Sequence, residues 1–306
     1  MHSRTELIAF GLIIVAIVPY IGLKALWLTG STVGLRGTAA AAEMHSGRMM
    51  VGNNITIVLE LLAVLLALAF TRPWGRRIPA WIVLGLGAGA TGLLAPVVLG
   101  VPLGSLLQLA ISGSVRTGGM SEMSPWAFAL VYGGFGLLAV ALAILGWRYV
   151  RSRWGDVLQH RPPRPPHWAT AAGTIGLLPF GLAMLWWGVF GPGGTGPQGM
   201  GALAQRLPLA AAGALALLGL VSPFLAGLAR WPGLAWLVVW TGCTTAALQG
   251  PTALLLANDG QIAPMVLALT LVATPGGAVY GLAVLRARRR ELRTAEVAPA
   301  LAGPHP

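Results

Sequence analysis

The sequence predicts an all-α membrane protein, a polytopic bundle of about eight transmembrane helices arranged as two parallel four-helix repeats. Three observations predict it. Hydrophobic residues fill 56% of the 306 positions and charged residues only 9%, where a soluble domain carries roughly 25% charged. Eight apolar stretches reach the roughly 20 residues needed to cross ~30 Å of hydrocarbon. The order and punctuation of the first four recur in the last four.

The stretches lie at roughly 7–28, 53–71, 79–100, 125–147, 168–190, 207–229, 234–256 and 262–285. Helix is the expected form, because lipid offers backbone groups no partner and these runs lack the alternation of barrel strands. The first run follows Met1-His-Ser-Arg4 but is too long, and interrupted by Lys24, for the short apolar core of a secretory signal. It reads as a retained helix, despite the small-residue run Ala39–Ala42 behind it.

The second run carries Asn53, Thr56 and Glu60; the third and fourth are punctuated by Gly85, Gly87, Gly89, Gly92, Gly133, Gly134 and Gly136. Glycine weakens a soluble helix, but in lipid it lets helices approach closely. The prolines inside the runs, among them Pro19, Pro96, Pro179, Pro208, Pro223, Pro251, Pro264 and Pro275, are sites for kinks. Between runs four and five, His160-Arg-Pro-Pro-Arg-Pro-Pro-His167 forbids helix and predicts an extended, solvated connector. The resulting organisation is a first repeat at 1–158, a cytoplasmic linker at 159–167, a second repeat at 168–293 and a disordered cytoplasmic tail at 294–306.

The echo between halves is specific in places. Ala80-Trp81, Val83, Gly87, Leu93, Pro96 and Leu99 recur 155 positions on, without a gap, as Ala235-Trp236, Val238, Gly242, Leu248, Pro251 and Leu254. Pro19-Tyr20 with Trp27 is answered by Pro179-Phe180 with Trp187. An even number of spans per half gives both halves one orientation, so the repeats are parallel rather than inverted.

Charge sets the expected orientation. With eight spans, one side holds Arg4, Arg72, Arg76, Arg77, Arg148, Arg151, Arg153, Arg161, Arg164, Arg230, Arg286, Arg288, Arg289, Arg290 and Arg293. The other holds only Arg36, Arg48, Arg116 and Arg206. The positive-inside bias places both termini in the cytoplasm. It also accounts for the net charge of +12 through the lipid bilayer and its anionic head groups, with no nucleic acid involved. Nineteen arginines against one lysine, with abundant Ala and Gly, suggest a GC-rich genome and hence a bacterial plasma membrane.

Tryptophans divide by position. Trp74, Trp81, Trp126, Trp147, Trp154, Trp168, Trp231 and Trp236 fall near run ends, as interfacial anchors; Trp27, Trp186, Trp187 and Trp240 fall within runs, where a cavity would be lined. Cys243, the sole cysteine, reads as a small buried residue.

Two charges lie clearly inside the runs, Lys24 and Glu60, and each is costly there unless paired or facing water. At 1.5 Å per residue their depths differ by only about 4–5 Å, so a contact is easy. Tyr20, Lys24 and Trp27 share one helix face, as do Asn53, Thr56 and Glu60; Thr241, Thr245 and Gln249 form a third polar stripe that climbs toward Asn258-Asp259. The expectation is a polar cavity open to the outer side and floored by Lys24 and Glu60. A purely structural ion pair is the competing reading. The pair has no counterpart in the second half, where Met184 and Leu215 align with it.

Glu43 and His45 in the outer loop 31–52 would supply two metal ligands where zinc needs three or four, so no metal and no cofactor is expected. That loop and Gly191–Gly199 read as connectors, with capping of the cavity as the alternative. No nucleotide-binding, zinc-protease, paired-aspartate or nucleophile-elbow motif occurs. The leading functional expectation is a permease-like or accessory transport component, with other membrane subunits or a separate ATPase as partners. The alternatives are an intramembrane enzyme on a lipid or isoprenoid-like substrate with Glu60 as acid, and an assembly partner of other membrane proteins.

Overall fold

The computed structural model describes residues 4–115, 123–255 and 262–301. Arg116, Asn258, Asp259, His2 and His305, each invoked above or flanking those segments, lie outside the described residues. Among the described residues there are nine α-helices: α1 (Arg4–Leu28), α2 (Gly37–Met44), α3 (Gly47–Thr71), α4 (Ala80–Ser112), α5 (Pro125–Leu158), α6 (His167–Phe190), α7 (Leu203–Val221), α8 (Pro232–Leu255) and α9 (Pro264–Leu301).

Seven of them, α1, α3, α4, α5, α6, α7 and α9, are long and apolar enough to cross a membrane, and the chain is a multi-pass membrane protein. Where the sequence predicts a seventh span stands α8, a helix of 24 residues outside those seven, whose apolar run Thr241, Thr244, Thr245, Thr252, Gln249, Gly242 and Gly250 dilute. Its location compensates. Every residue from Thr241 to Ala246 is buried, because α8 packs against α4, α7 and α9. A helix surrounded by protein needs no lipophilic exterior.

Helix ends differ from the predicted spans for local reasons. Ser46 starts α3 six residues early by accepting the Met49 N–H at 3.3 Å. α4 runs on past Pro102 until Gly113, at φ 67°, closes it in the left-handed conformation. α7 stops at Val221, short of the predicted end, because Pro223 cannot donate; two 3-10 turns, Ser222–Phe224 and Ala226–Arg230, follow. α5 extends to Leu158 with a kink at Trp154 (φ −134°, ψ 33°). α9 is helical through Leu301, past the predicted start of the tail. The proline connector is extended, yet Pro162 and Pro165 are buried, so it lies along the protein rather than out in solvent.

Helices pack mainly on others of their own half, α4 excepted. In the first half, α1 packs on α5, α3 on α1, and α4 on both α3 and α5; in the second, α6 packs on α9, α7 on α6, and α8 on both α7 and α9. Closest approaches come at small residues. A methyl built on Gly134 of α5 would stand 3.2 Å from the Ala16 carbonyl oxygen of α1, and one on Gly176 of α6 2.8 Å from Cα of Gly276 of α9; Gly176 lies 160 positions after Ala16.

The halves join through α4. Its Gly100 meets Pro208 of α7 and its Gly92 meets the Thr244 carbonyl of α8, at distances of 2.3 and 2.4 Å from an added methyl. Gln108 Oε1 accepts from the Ala204 backbone N–H, capping α7 from another helix at 3.2 Å, and Trp240 Nε1 donates to Thr91 Oγ1 at 3.1 Å.

Candidate functional site

Lys24 on α1 and Glu60 on α3 meet inside the first half, with 1% and 3% of their surfaces exposed. The ammonium donates to Glu60 Oε1 and, at 2.8 Å, to Thr56 Oγ1. It also lies 3.7 Å from the centre of the Tyr20 ring, a cation–π contact strengthened by the burial of both side chains. Thr56 can accept because its own hydroxyl proton is directed to the Gly52 and Asn53 carbonyls, at 2.9 and 3.0 Å. Phe135 of α5 holds the Tyr20 ring edge-on, centroids 5.2 Å apart. Glu60 Oε2 is buried and has no hydrogen-bond partner among the described residues.

Above the pair the protein is closed, where the sequence predicts an open cavity. The loop 31–52 contains helix α2 and a latch. Trp27 Nε1 donates to the Val33 carbonyl at 2.8 Å, Leu35 forms an antiparallel bridge with Met123, and Ser124 N–H donates to the Gly34 carbonyl at 2.7 Å. Gly34, at φ +79°, has Ala127 and the Trp126 ring where a side chain would go. Met44, at the end of α2, receives Asn53 Nδ2 at 3.5 Å and packs with Tyr20, Leu23 and Trp27. Glu43 is taken up by Arg48 at 2.7 Å and His45 Nε2 lies 3.3 Å from the Ser31 carbonyl oxygen, so the loop uses both residues to hold its own shape. Among the described residues no group of three His, Cys, Asp or Glu side chains is placed to hold a metal.

The structure thus brings Tyr20, Lys24, Trp27, Asn53, Thr56 and Glu60 into one cluster. Thr241, Thr245 and Gln249 stand elsewhere. Their helix packs with α4, α7 and α9, whereas α1 and α3 pack chiefly on α5 and each other. Thr241 and Thr245 are buried and Gln249 half-buried, and the Thr245 hydroxyl has no partner. Among the tryptophans expected within a cavity, Trp187 is buried and donates to Thr195 Oγ1 at 3.4 Å, while its neighbour Trp186 is 61% exposed. Trp236, expected at the interface, is buried and donates to the His160 carbonyl at 2.9 Å.

Sequence reasoning misses Met44 and Phe135, which no periodicity connects to the pair. A second missed group lies at the other end of α5. Arg153 donates to the Gly75 carbonyl at 3.4 Å, to the Ile78 carbonyl at 2.8 Å and to the Tyr149 hydroxyl, with its guanidinium 4.8 Å from the Trp154 ring centre. Near it, Glu6, Leu7, Phe10, Leu68, Thr71 and Arg72 line an open cleft of about 40 Å³. No protein-family model, curated protein or solved structure matches the chain.

Proposed function

We propose that the protein is a permease-like or accessory transport component of a bacterial plasma membrane, with both termini cytoplasmic and the Lys24–Glu60 pair as its working site. The observation that carries this reading is Glu60 Oε2, a buried carboxylate oxygen with no partner beside an ion pair. A pair retained only to hold helices is favourable when its remaining lone pairs are satisfied. Here one is left open, on a carboxylate buried in the middle of α3. The latched loop above it supports a site that is reached when the loop moves. Within this reading the halves are a duplicated parallel unit whose first copy specialised; the matching contacts at Ala16 and Gly176 support that ancestry, and Met184 and Leu215 occupy the positions aligned with the pair. Energy would come from a gradient or from a separate ATPase subunit.

The test uses cells in which the native gene carries Glu60→Gln, or Lys24→Met together with Glu60→Leu, at matched protein levels. Small molecules retained by the cells and released to the medium are profiled by mass spectrometry. Glu60→Gln is expected to shift the profile as strongly as deletion does. A wild-type profile in the double variant would reduce the pair to a structural one.

A further inference from the structure

We infer that the Lys24–Glu60 site binds a small monovalent anion together with a proton. The inference rests on the transport reading above and names what that site takes. Lys24 carries three N–H groups, and the structure gives each a destination: Glu60 Oε1, Thr56 Oγ1 and the face of Tyr20. The ammonium is complete. The deficit lies on Glu60 Oε2 alone.

A hard metal cation does not suit that deficit. Calcium takes 6–8 oxygens and magnesium about six, whereas the cluster leaves one carboxylate oxygen open. A cation at Oε2 would also face the Lys24 charge at close range in a medium of low dielectric. A proton meets neither obstacle, since it needs one oxygen and turns the carboxylate into a neutral acid rather than adding a second cation beside Lys24.

Once Oε2 is protonated, Lys24 is a buried ammonium without a counter-ion. That state is costly in the membrane interior, and an anion seated at Nζ in place of the carboxylate relieves it. Proton and anion therefore bind with positive coupling, and the coupling is reciprocal. The one bond made is the O–H of Glu60: one proton is added to the carboxylate, one anion joins Lys24 by hydrogen bonding and charge, and the net charge of the site is unchanged.

The surroundings do not compete. Among the described residues, the other titratable groups acting within the cluster are Tyr20 on α1 and Tyr132 on α5, phenols that carry no charge at neutral pH. α3 adds only Thr56 and Asn53, and Glu43 of α2 is paired with Arg48. Closure by the Trp27–Val33 latch limits the ligand to a small one.

The test uses purified full-length protein in lipid nanodiscs, with chloride and methanesulfonate as probes because neither carries a titratable proton near neutral pH. Titration calorimetry in buffers of different ionisation enthalpy reads anion affinity and proton uptake together. The wild type is expected to take up about one proton per anion, with affinity falling about tenfold per pH unit above the Glu60 titration. Glu60→Gln is expected to bind the anion with no proton uptake and no pH dependence. Lys24→Met with Glu60→Leu, which buries no lone charge, is expected to bind none.

Anion binding in that double variant, or binding by the wild type without proton uptake, overturns the inference. So does a folded wild type that binds neither probe. If Glu60→Gln still disturbs the cellular profile in any of these cases, the transport reading stands and only the anion assignment falls.

Discussion

Trp27 and Trp187, 160 positions apart, both bury their rings at the ends of α1 and α6 and both donate Nε1–H into the segment that follows, to the Val33 carbonyl and to Thr195 Oγ1. In the first half this bond pins the lid over Lys24. Trp27→Phe keeps the ring and removes the donor, a loss of about 0.5–1.5 kcal/mol. With Cys243 replaced by Ala and Asn53 by Cys, attack by a membrane-impermeant maleimide is expected to accelerate roughly 2- to 10-fold in Trp27→Phe. An unchanged rate would show that the lid does not depend on the indole bond.

Breaking the ion pair from one side is expected to cost far more than removing it. Lys24→Met leaves Glu60 buried without its partner, a loss of about 3–5 kcal/mol, whereas Lys24→Met with Glu60→Leu replaces both charges by apolar groups and is expected to be close to neutral. Thermal unfolding in detergent, followed by tryptophan fluorescence, compares the two. Equal melting temperatures for the single and double variants would contradict the burial argument.

The pair was legible because charge is rare in an apolar run and because helix rise converts sequence position to depth. Tyr20 and Thr56 followed from the same spacing, and both touch Lys24. Partners across helices were not legible. Periodicity shows which face is polar without showing which helix covers it, so the Thr241, Thr245 and Gln249 stripe was assigned to the pair although α8 docks on α4, α7 and α9. Trp186 and Trp187 make the limit plain: adjacent in sequence, one faces outward and the other is buried. Capping by loop 31–52 was legible as an alternative, but the helix within it was not, because α2 begins Gly-Thr-Ala-Ala-Ala-Ala, a run with little amphipathic signature.

At the basic end, Arg153 holds the turn between α3 and α4 by reaching two carbonyls at once. Lysine is a point charge without the planar fork, so Arg153→Lys is expected to lower stability by about 1–3 kcal/mol. Arg151→Lys, at an exposed site on the same helix, is the control and is expected to change little. Gly75→Ala is expected to be worse than either, since its methyl would stand 1.7 Å from the Ala69 carbonyl oxygen. Thermal melts that rank Arg151→Lys with Arg153→Lys would remove the clamp.

The halves are expected to associate as separate chains, 1–158 and 159–306, and to do so through α4. Dispersion between closely packed backbones drives association in lipid, and Gly100 has no room for a methyl against Pro208. Gly100→Ala is expected to reduce co-purification of the two pieces about tenfold, in line with overpacking costs of about 1–3 kcal/mol. Gly133→Ala, whose methyl meets nothing within 4 Å, is expected to leave it intact. Loss with both or with neither would move the interface away from α4.

The remaining prediction concerns α8. It begins beside the connector, where Trp236 bonds to the His160 carbonyl, passes α7 where Gly242 meets the Leu215 carbonyl, and reaches Gly250 next to Thr274, three turns into α9. Under the proposed topology that path is the eighth crossing, which would return the C-terminus to the side of the N-terminus. Its threonines and glutamine make insertion alone unfavourable, because lipid cannot pair the side chains that α4, α7 and α9 cover. A reporter fused after residue 306 is therefore expected in the cytoplasm, whereas the same reporter fused after Leu255, with α9 deleted, is expected in both orientations. A uniformly outward reporter on the truncated chain would mean that α8 inserts without its neighbours. An extracellular end on the full chain would mean that it does not cross at all.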